Sequence, residues 1–500
     1  MTWTGSWLSF AARVEEPMRK TKIVATVGPA CRDPRLLKKM IHEGVDVFRI
    51  NASHTDPAGI GRWFKLIRAA SASLQKHTAI LVDLQGPRVR TGHLKNSSLR
   101  LEQGKALTIR IGRGLGGGNT IMTACLEFPR MVKKNDKILI DNGVIELKVE
   151  SVQKRSVSCR VVTGGILGEN KGINLPNAPV TLPALTAKDL QDLAAASKLH
   201  ADYIALSFVR SVEDVEAIKR WMRVRRIDIP VIAKIEKPQA VESISAVLEK
   251  ADGIMVARGD LGIEMGIEKV PRVQKMLIER AVNSKIPVIT ATQMLETMME
   301  KPQPTRAEVS DIANAVFDGT DAVMLSGETA IGKYPLQSVQ TMRKIIEEAE
   351  VSRKILPEDE PFTRDKSQIN LRAITQAALY AARELDAKGI MVFTLSGKTA
   401  QYVSKLNPSC MVLAVSRSAR TLARLNLLRG VRPVLAEKSA TMDEMIHRAD
   451  QKIMRDKILK KGDAAVVVYG KRALPGILYT IAIHSIGESK NSLSARPPKL

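Results

Sequence analysis

A chain of 500 residues, 44% of them hydrophobic, is long enough for about two to four domains with sizeable cores. Its formal net charge of +25 suits nucleic acid or anionic metabolites, but aromatic residues are only 4% and no helix-turn-helix or zinc-finger pattern is evident. The charge therefore reads as a solvated basic surface that attracts anionic metabolites.

Residues 1–17 lack a basic start and a small-residue cleavage site, so they read as a disordered extension ahead of Met18. Three short apolar runs follow, Thr21–Val27, Val45–Asn51 and Thr78–Leu84. A segment far longer than the other crossovers comes next, from about Pro87 to Pro183. It is rich in Val, Ile, Thr and Gly, with alternation in LTIRI, KILI, IELKVE and VSCRVV, and reads as a small inserted β domain. Within it, Gly112-x-Gly114-x-x-Gly117 has dinucleotide-binding spacing, but no helix follows, so a hairpin loop is expected. Five more runs complete the series: Tyr203–Phe208, Val231–Glu236, Ile254–Asp260, Pro287–Thr292 and Ala322–Glu328. Amphipathic stretches separate most runs. Thr186 with Asp189, Ser211 with Asp214 and Thr305 with Glu308 have the spacing of helix caps backed by a carboxylate. Eight runs alternating with helices predict a (β/α)8 TIM barrel, with chemistry at the carboxyl ends of its strands.

A long helix after Ser338 leads to a polar, proline-containing linker, PEDEPFTRDKSQ. GIMVFTL, MVLAVS, VRPVL, AAVVVYG and YTIAIHSIG then predict a C-terminal open α/β domain, followed by a disordered tail. The expected division is 18–86 with 184–355 for the barrel, 87–183 for the insertion, 368–487 for the C-terminal domain and 488–500 for the tail. No run spans a bilayer. Cys31, Cys125, Cys159 and Cys410 form neither a metal pattern nor a disulfide scaffold, which fits a reducing cytoplasm.

The polar ends of the runs carry the chemistry. With Ile235 packed outward, Lys234 and Glu236 share the inner face of a strand. Two residues alone read equally well as a structural ion pair. Asp260 brings a second carboxylate to the rim, and two carboxylates with room for water and substrate oxygens suit Mg²⁺. Lys234 is then a charge for a developing anion. Gly259 leaves backbone N–H groups open to a carboxylate. Arg49 offers a planar fork for phosphate, while Asn51, Ser53 and Asp83 add oxygens for a cation or phosphate. His54 reads as a turn residue or a nucleotide contact. Thr292 and Ser326 read as helix caps or as holders of a proton-donating water.

KTKIVATVGPA, FRINASH, VDLQGPRVRTG, KGINLP, IAKIEKP, IMVARGDLGIE, ATQMLETM, PTRAEVSDIANAVFDGTDAVMLSGETA and KYP occur in the order of the motifs of pyruvate kinases. Over roughly residues 20–350 the chain strongly resembles that family, and it does so more weakly through VFTLSGKTA and LARLNLLRGVRPVL beyond. The resemblance implies a β-barrel lid inserted after the third barrel strand, a C-terminal regulatory domain, and a homotetramer. It implies transfer of a phosphoryl group from phosphoenolpyruvate to ADP, the last step of glycolysis, in the cytoplasm. By motif, Arg49 contacts the transferred phosphoryl group, and Glu236 and Asp260 bind Mg²⁺ or Mn²⁺. Lys234 stabilises the phosphoryl and enolate charge. Gly259, Asp260 and Thr292 position the substrate carboxylate, and Thr292 and Ser326 border proton delivery. Asn51, Ala52, Ser53, His54, Arg90 and Lys171 face ADP or ATP.

Two features go beyond that assignment. The family's K⁺ position maps to Asn51, Ser53, Asp83 and the Leu84 carbonyl. Where K⁺-dependent members carry glutamate after the Gly-Pro of this motif, the chain has Arg88, so K⁺ is expected not to be required. The loop Ser396, Gly397, Lys398 and Thr399 joins a strand to a helix and resembles the family's effector loop, implying a phosphorylated allosteric effector. The later effector loop, in YGKRALPGILYT, lacks the usual glycine- and threonine-rich ending. The competing readings are a Mg²⁺-dependent pyruvate-enolate lyase or aldolase and a catalytically silent metabolite sensor. The Arg49 cluster, Lys234 and the insertion argue against the first, and the intact catalytic positions against the second.

Overall fold

The computed structural model describes residues 19–176, 182–351, 369–437, 439, 441–470 and 479–488. The N-terminal extension, the linker, the later effector loop and nearly all of the expected tail lie outside these residues.

Eight parallel strands close into a barrel: Lys22–Thr26, Val47–Asn51, Ala79–Asp83, Tyr203–Val209, Val231–Ile235, Gly253–Ala257, Val288–Ala291 and Ala322–Leu325. The first strand pairs with both the second and the eighth, which completes the circle. The runs are apolar throughout because both faces are covered. Val24, Val47, Leu81, Ile232, Met255 and Ile289 fill the interior, while Ile23, Ile80, Ile204 and Ile235 pack outward against helices. Ile235 facing outward turns Lys234 and Glu236 inward, as the alternation requires.

Two of the three expected caps form as reciprocal boxes, Thr186 with Asp189 and Thr305 with Glu308. The third is different. Ser211 makes no side-chain cap bond, and the Asp214 carboxylate accepts from the backbone N–H and guanidinium of Arg210.

The insertion leaves the barrel after the third strand. A seven-stranded sheet and a two-stranded partner wrap one apolar core containing Ile109, Ile121, Phe128, Leu147 and Val157. Two short strands, Val89–Arg90 and Gly172–Asn174, pair with each other where the chain leaves and returns. The glycine-rich stretch is a loop, as expected, but not a hairpin. Its flanking strands, Ala106–Ile111 and Thr120–Thr123, run parallel, and the loop doubles back along Leu94 before returning.

The C-terminal domain is a five-stranded sheet ordered Val431–Leu435, Met411–Ser416, Gly389–Phe393, Ala464–Gly470 and Tyr479–Ser485, the last strand antiparallel. It plugs the amino-terminal end of the barrel. Leu427 is buried among the barrel-interior side chains, Lys405 pairs with buried Asp321, and Tyr203 donates to the Arg424 carbonyl at 2.8 Å. Tyr203→Phe should therefore lower stability by about 1 kcal/mol, seen as a lower urea midpoint. An unchanged midpoint would mean that water satisfies the Arg424 carbonyl just as well.

Candidate active site

At the opposite end of the barrel, buried charges from the second, third and fifth strands meet. Lys234 Nζ lies 2.9 Å from Glu236 Oε1 and 3.3 Å from Asp83 Oδ1, and donates to Ser207 Oγ at 2.8 Å. Asp83 Oδ2 accepts from Arg49 Nε at 2.7 Å, and Arg49 also reaches Thr26 Oγ1 at 3.1 Å. Burial works against the Lys234 ammonium, but Asp83 and Glu236 together hold its pKa above the usual lysine value. Burial also opposes the Asp83 carboxylate, yet Lys234 and Arg49 keep its pKa below the usual range.

Glu236 differs. Burial pushes its pKa up, and the nearby Asp260 charge adds to the rise against the pull of Lys234. Its second oxygen accepts from the Phe208 N–H at 2.6 Å. Phe208 has φ +56° within an irregularity of the fourth strand, which turns this N–H onto the carboxylate.

Asp260 does not end a strand. Arg258–Met265 is a helix, so Gly259 and Asp260 sit in its first turn. The Asp260 charge opposes ionisation of Glu236, and a divalent cation between the two carboxylates would relieve that repulsion. Among the described residues no group of three or more His, Cys, Asp or Glu side chains forms a metal cage. A two-carboxylate donor set instead fits Mg²⁺ or Mn²⁺ that takes its remaining oxygens from substrate and water.

Thr292 has φ +67°, a strained value for a β-branched residue. Arg258 braces it by donating to the Ala291, Thr292 and Gln293 carbonyls while pairing with Asp311. The Thr292 hydroxyl accepts from the Gly259 N–H at 2.8 Å. That N–H is thus already engaged, and a substrate carboxylate would have to displace the hydroxyl. Ser326 Oγ is buried without a protein partner, and the Ser326 N–H donates to Glu328.

Asn51 ends the second strand and caps the Ser53 N–H, so Ala52, Ser53 and His54 form a short 3₁₀ turn rather than continuing the strand. Burial and then Arg90, Arg49 and Arg88 lower the His54 pKa, favouring the neutral ring. Arg90 donates to the Asn170 carbonyl and Lys171 pairs with Asp141, both within the insertion. The Leu84 carbonyl accepts from Ser207 Oγ. Arg88 lines two clefts between insertion and barrel. One, of about 1090 Å³, reaches Gly259 and Asp260; the other, of about 650 Å³, reaches Arg90 and Lys188.

Ser396, Gly397, Lys398 and Thr399 lie in the C-terminal domain, apart from this centre. Gly397 has φ +88° and precedes the helix Lys398–Lys405, while Ser396 and Lys398 are exposed.

Ser207 was not among the sequence-derived candidates, although it joins Lys234, Asp83 and the Leu84 carbonyl. The signal was present: it shares inward parity with Tyr203 and Ala205, and a hydroxyl there is out of place in an apolar strand.

A family model described as the pyruvate kinase barrel domain matches residues 18–339, and one for the pyruvate kinase alpha/beta domain matches residues 372–484. The chain is 40% identical to a pyruvate kinase of Clostridium acetobutylicum, over 91% of this chain and 96% of that protein. It is 40% identical to one of Thermotoga maritima, over 93% and 99%. Identity reaches 42% with pyruvate kinase 2 of Synechocystis, over 90% of this chain and 76% of that protein.

Proposed function

The chain belongs to the pyruvate kinase family, and from that premise we propose how its own residues carry the reaction. The enzyme transfers the phosphoryl group of phosphoenolpyruvate to ADP, giving ATP and pyruvate. The observation that carries the site reading is Lys234, a buried ammonium between Asp83 and Glu236 with Arg49 one carboxylate away.

Phosphoryl transfer passes through a loose transition state with charge spread over the phosphate oxygens, and it leaves an enolate behind. Arg49 orients the phosphoryl group. Lys234, already fixed by its neighbours, meets the charge developing on phosphate and enolate oxygen without reorganising. Mg²⁺ or Mn²⁺ held by Glu236 and Asp260 supplies, when bound, further positive charge for the phosphate oxygens. Thr292 and the first turn at Gly259 and Asp260 hold the substrate carboxylate, the Thr292 hydroxyl turning aside to release the Gly259 N–H. Thr292 and the unpartnered Ser326 hydroxyl border the route by which a proton reaches the enolate carbon. Asn51, Ala52, Ser53 and His54 face the nucleotide from the barrel, and Arg90 and Lys171 from the insertion, which closes as a lid and excludes water.

In this reading residues 18–86 and 184–355 are the catalytic domain, 87–183 the lid and 368–487 the regulatory domain. The enzyme is a cytoplasmic homotetramer, with no nucleic-acid or membrane partner, and its four cysteines are free. Among the described residues no helix is long and apolar enough to cross a membrane. The test is a coupled pyruvate-release assay with phosphoenolpyruvate, ADP and Mg²⁺ or Mn²⁺. Absence of pyruvate under all those conditions would overturn the assignment.

Ser396–Thr399 supports a phosphorylated effector through the exposed Ser396 and Lys398, the half-buried Thr399 and N–H groups opening a helix. A sugar monophosphate, a nucleoside monophosphate or a sugar bisphosphate should shift the phosphoenolpyruvate saturation curve to lower concentration, and Lys398→Ala should abolish the shift. If sugar monophosphates, sugar bisphosphates and nucleoside monophosphates all leave the curve unmoved, the loop is structural only.

A further inference from the structure

Beside the metal carboxylates lies a second buried cluster. Lys237, the residue after Glu236, places Nζ 2.7 Å from Glu264 Oε1. Glu264 lies one turn beyond Asp260 on the helix Arg258–Met265. The same Glu264 oxygen accepts from Asn174 Nδ2 at 2.8 Å. Asn174 ends the strand on which the insertion returns to the barrel, and its backbone pairs with Leu139 of the insertion's sheet. One carboxylate oxygen thus joins the Glu236 segment, the Asp260 helix and the lid hinge.

The ion pair is shielded from bulk solvent, with the Lys237 and Glu264 side chains 8% and 0% exposed. Glu264 Oε2, Asn174 Oδ1 and Arg88 Nε are buried without protein partners, and all three residues line one cavity of about 20 Å³. Two acceptors and one donor around a space of that size suit a single bridging water. Arg88 itself reaches Asp260 Oδ1 at 3.6 Å, so this corner leads back to the metal side.

We infer that Lys237, Glu264 and Asn174 form a latch that sets the spacing of the two metal carboxylates and ties the lid hinge to that spacing. The latch rests on the reading of Glu236 and Asp260 as the metal pair. None of its three residues touches substrate; they are positioning residues. The Lys237–Glu264 arm fixes the strand end against the helix. The Asn174 arm fastens the lid hinge to the same carboxylate.

The test uses the full-length enzyme without substrates, titrated with Mn²⁺ alone and followed by the paramagnetic resonance of free Mn²⁺. Asp260→Asn should remove tight binding. Lys237→Met, and independently Glu264→Gln, should raise the Mn²⁺ Kd about tenfold, as loss of a supporting partner behind a metal ligand does. Asn174→Leu should leave the Kd within about twofold yet speed hydrogen–deuterium exchange in residues 87–92 and 171–176 about tenfold, the loss expected for a bond to a charged group. If Asp260→Asn removes binding while both Lys237→Met and Glu264→Gln leave it unchanged, the latch is overturned and the metal reading stands. If Asp260→Asn leaves Mn²⁺ binding intact, both fall. Unchanged hinge exchange in Asn174→Leu overturns the link to the lid.

Discussion

Replacing Lys234 with methionine is expected to lower kcat between about a hundredfold and a thousandfold, the ~3–4 kcal/mol typical of losing one preorganised charge donor. The side chain is held by three partners before substrate arrives, Glu236, Asp83 and Ser207. Its pKa is raised above the usual lysine value, so the ammonium is charged in the folded enzyme at every pH used for assay. The stability it contributes is complete below the ordinary lysine pKa and disappears only as pH rises through the higher folded value. Methionine keeps the length and apolar stem but leaves Asp83 with Arg49 and the Ser207 hydroxyl, and Glu236 with the Phe208 N–H. Mn²⁺ and phosphoenolpyruvate binding should weaken much less than kcat, because the proposed metal carboxylates Glu236 and Asp260, and Arg49, remain. Single-turnover assays beside Mn²⁺ titration separate the two effects. A variant retaining a tenth of the wild-type kcat would remove Lys234 from the central role.

How much of this centre could be read from the chain depends on how local its cause is. The barrel strands declare themselves because both faces are buried and the runs are apolar throughout. Inward placement of Lys234 and Glu236 follows from the two-residue period once Ile235 packs outward. Three features have no such local signature. The turn of the Phe208 N–H onto Glu236 comes from an irregularity in strand pairing. Asp214 takes its hydrogen bonds from both the backbone N–H and the guanidinium of Arg210 rather than from Ser211. Asn174, Lys237 and Glu264 are distant in sequence, and only the return of the insertion to the barrel brings the asparagine onto the ion pair. Similarly, parallel pairing of Ala106–Ile111 with Thr120–Thr123 is invisible in a stretch whose glycines suggest a tight reversal.

Arg88→Glu is expected to cut activity at least about tenfold in tetramethylammonium or Tris medium, and added KCl should restore it, whereas the parent enzyme gains less than tenfold from KCl at matched ionic strength. The guanidinium is directed into the site rather than to solvent. It stands 3.6 Å from Asp260 Oδ1, 3.3 Å from Asn142 Oδ1 and over the Phe208 ring, with 5.9 Å between Cζ and the ring centroid. Gly172 makes room for it, since a Cβ there would sit 2.6 Å from Arg88 Nε. The oxygens expected to hold K⁺ are meanwhile engaged: Asp83 by Arg49 and Lys234, the Leu84 carbonyl by Ser207, and the Asn51 amide by the Ser53 N–H. A monovalent ion entering among them meets a fixed cation, and two unit charges about 5 Å apart at an effective dielectric near 20 repel by roughly 3 kcal/mol. Glutamate reverses the sign. It removes the cation beside Asp260 and adds a carboxylate there, so the phosphate side lacks positive charge until K⁺ supplies it. Lysine should preserve independence less well than arginine, because a point charge on a flexible stem keeps neither the bond to Asn142 nor the stacking on Phe208. Tenfold or greater activation of the parent enzyme by K⁺, or an Arg88→Glu variant indifferent to K⁺, would show that Arg88 shapes the cleft without replacing the ion.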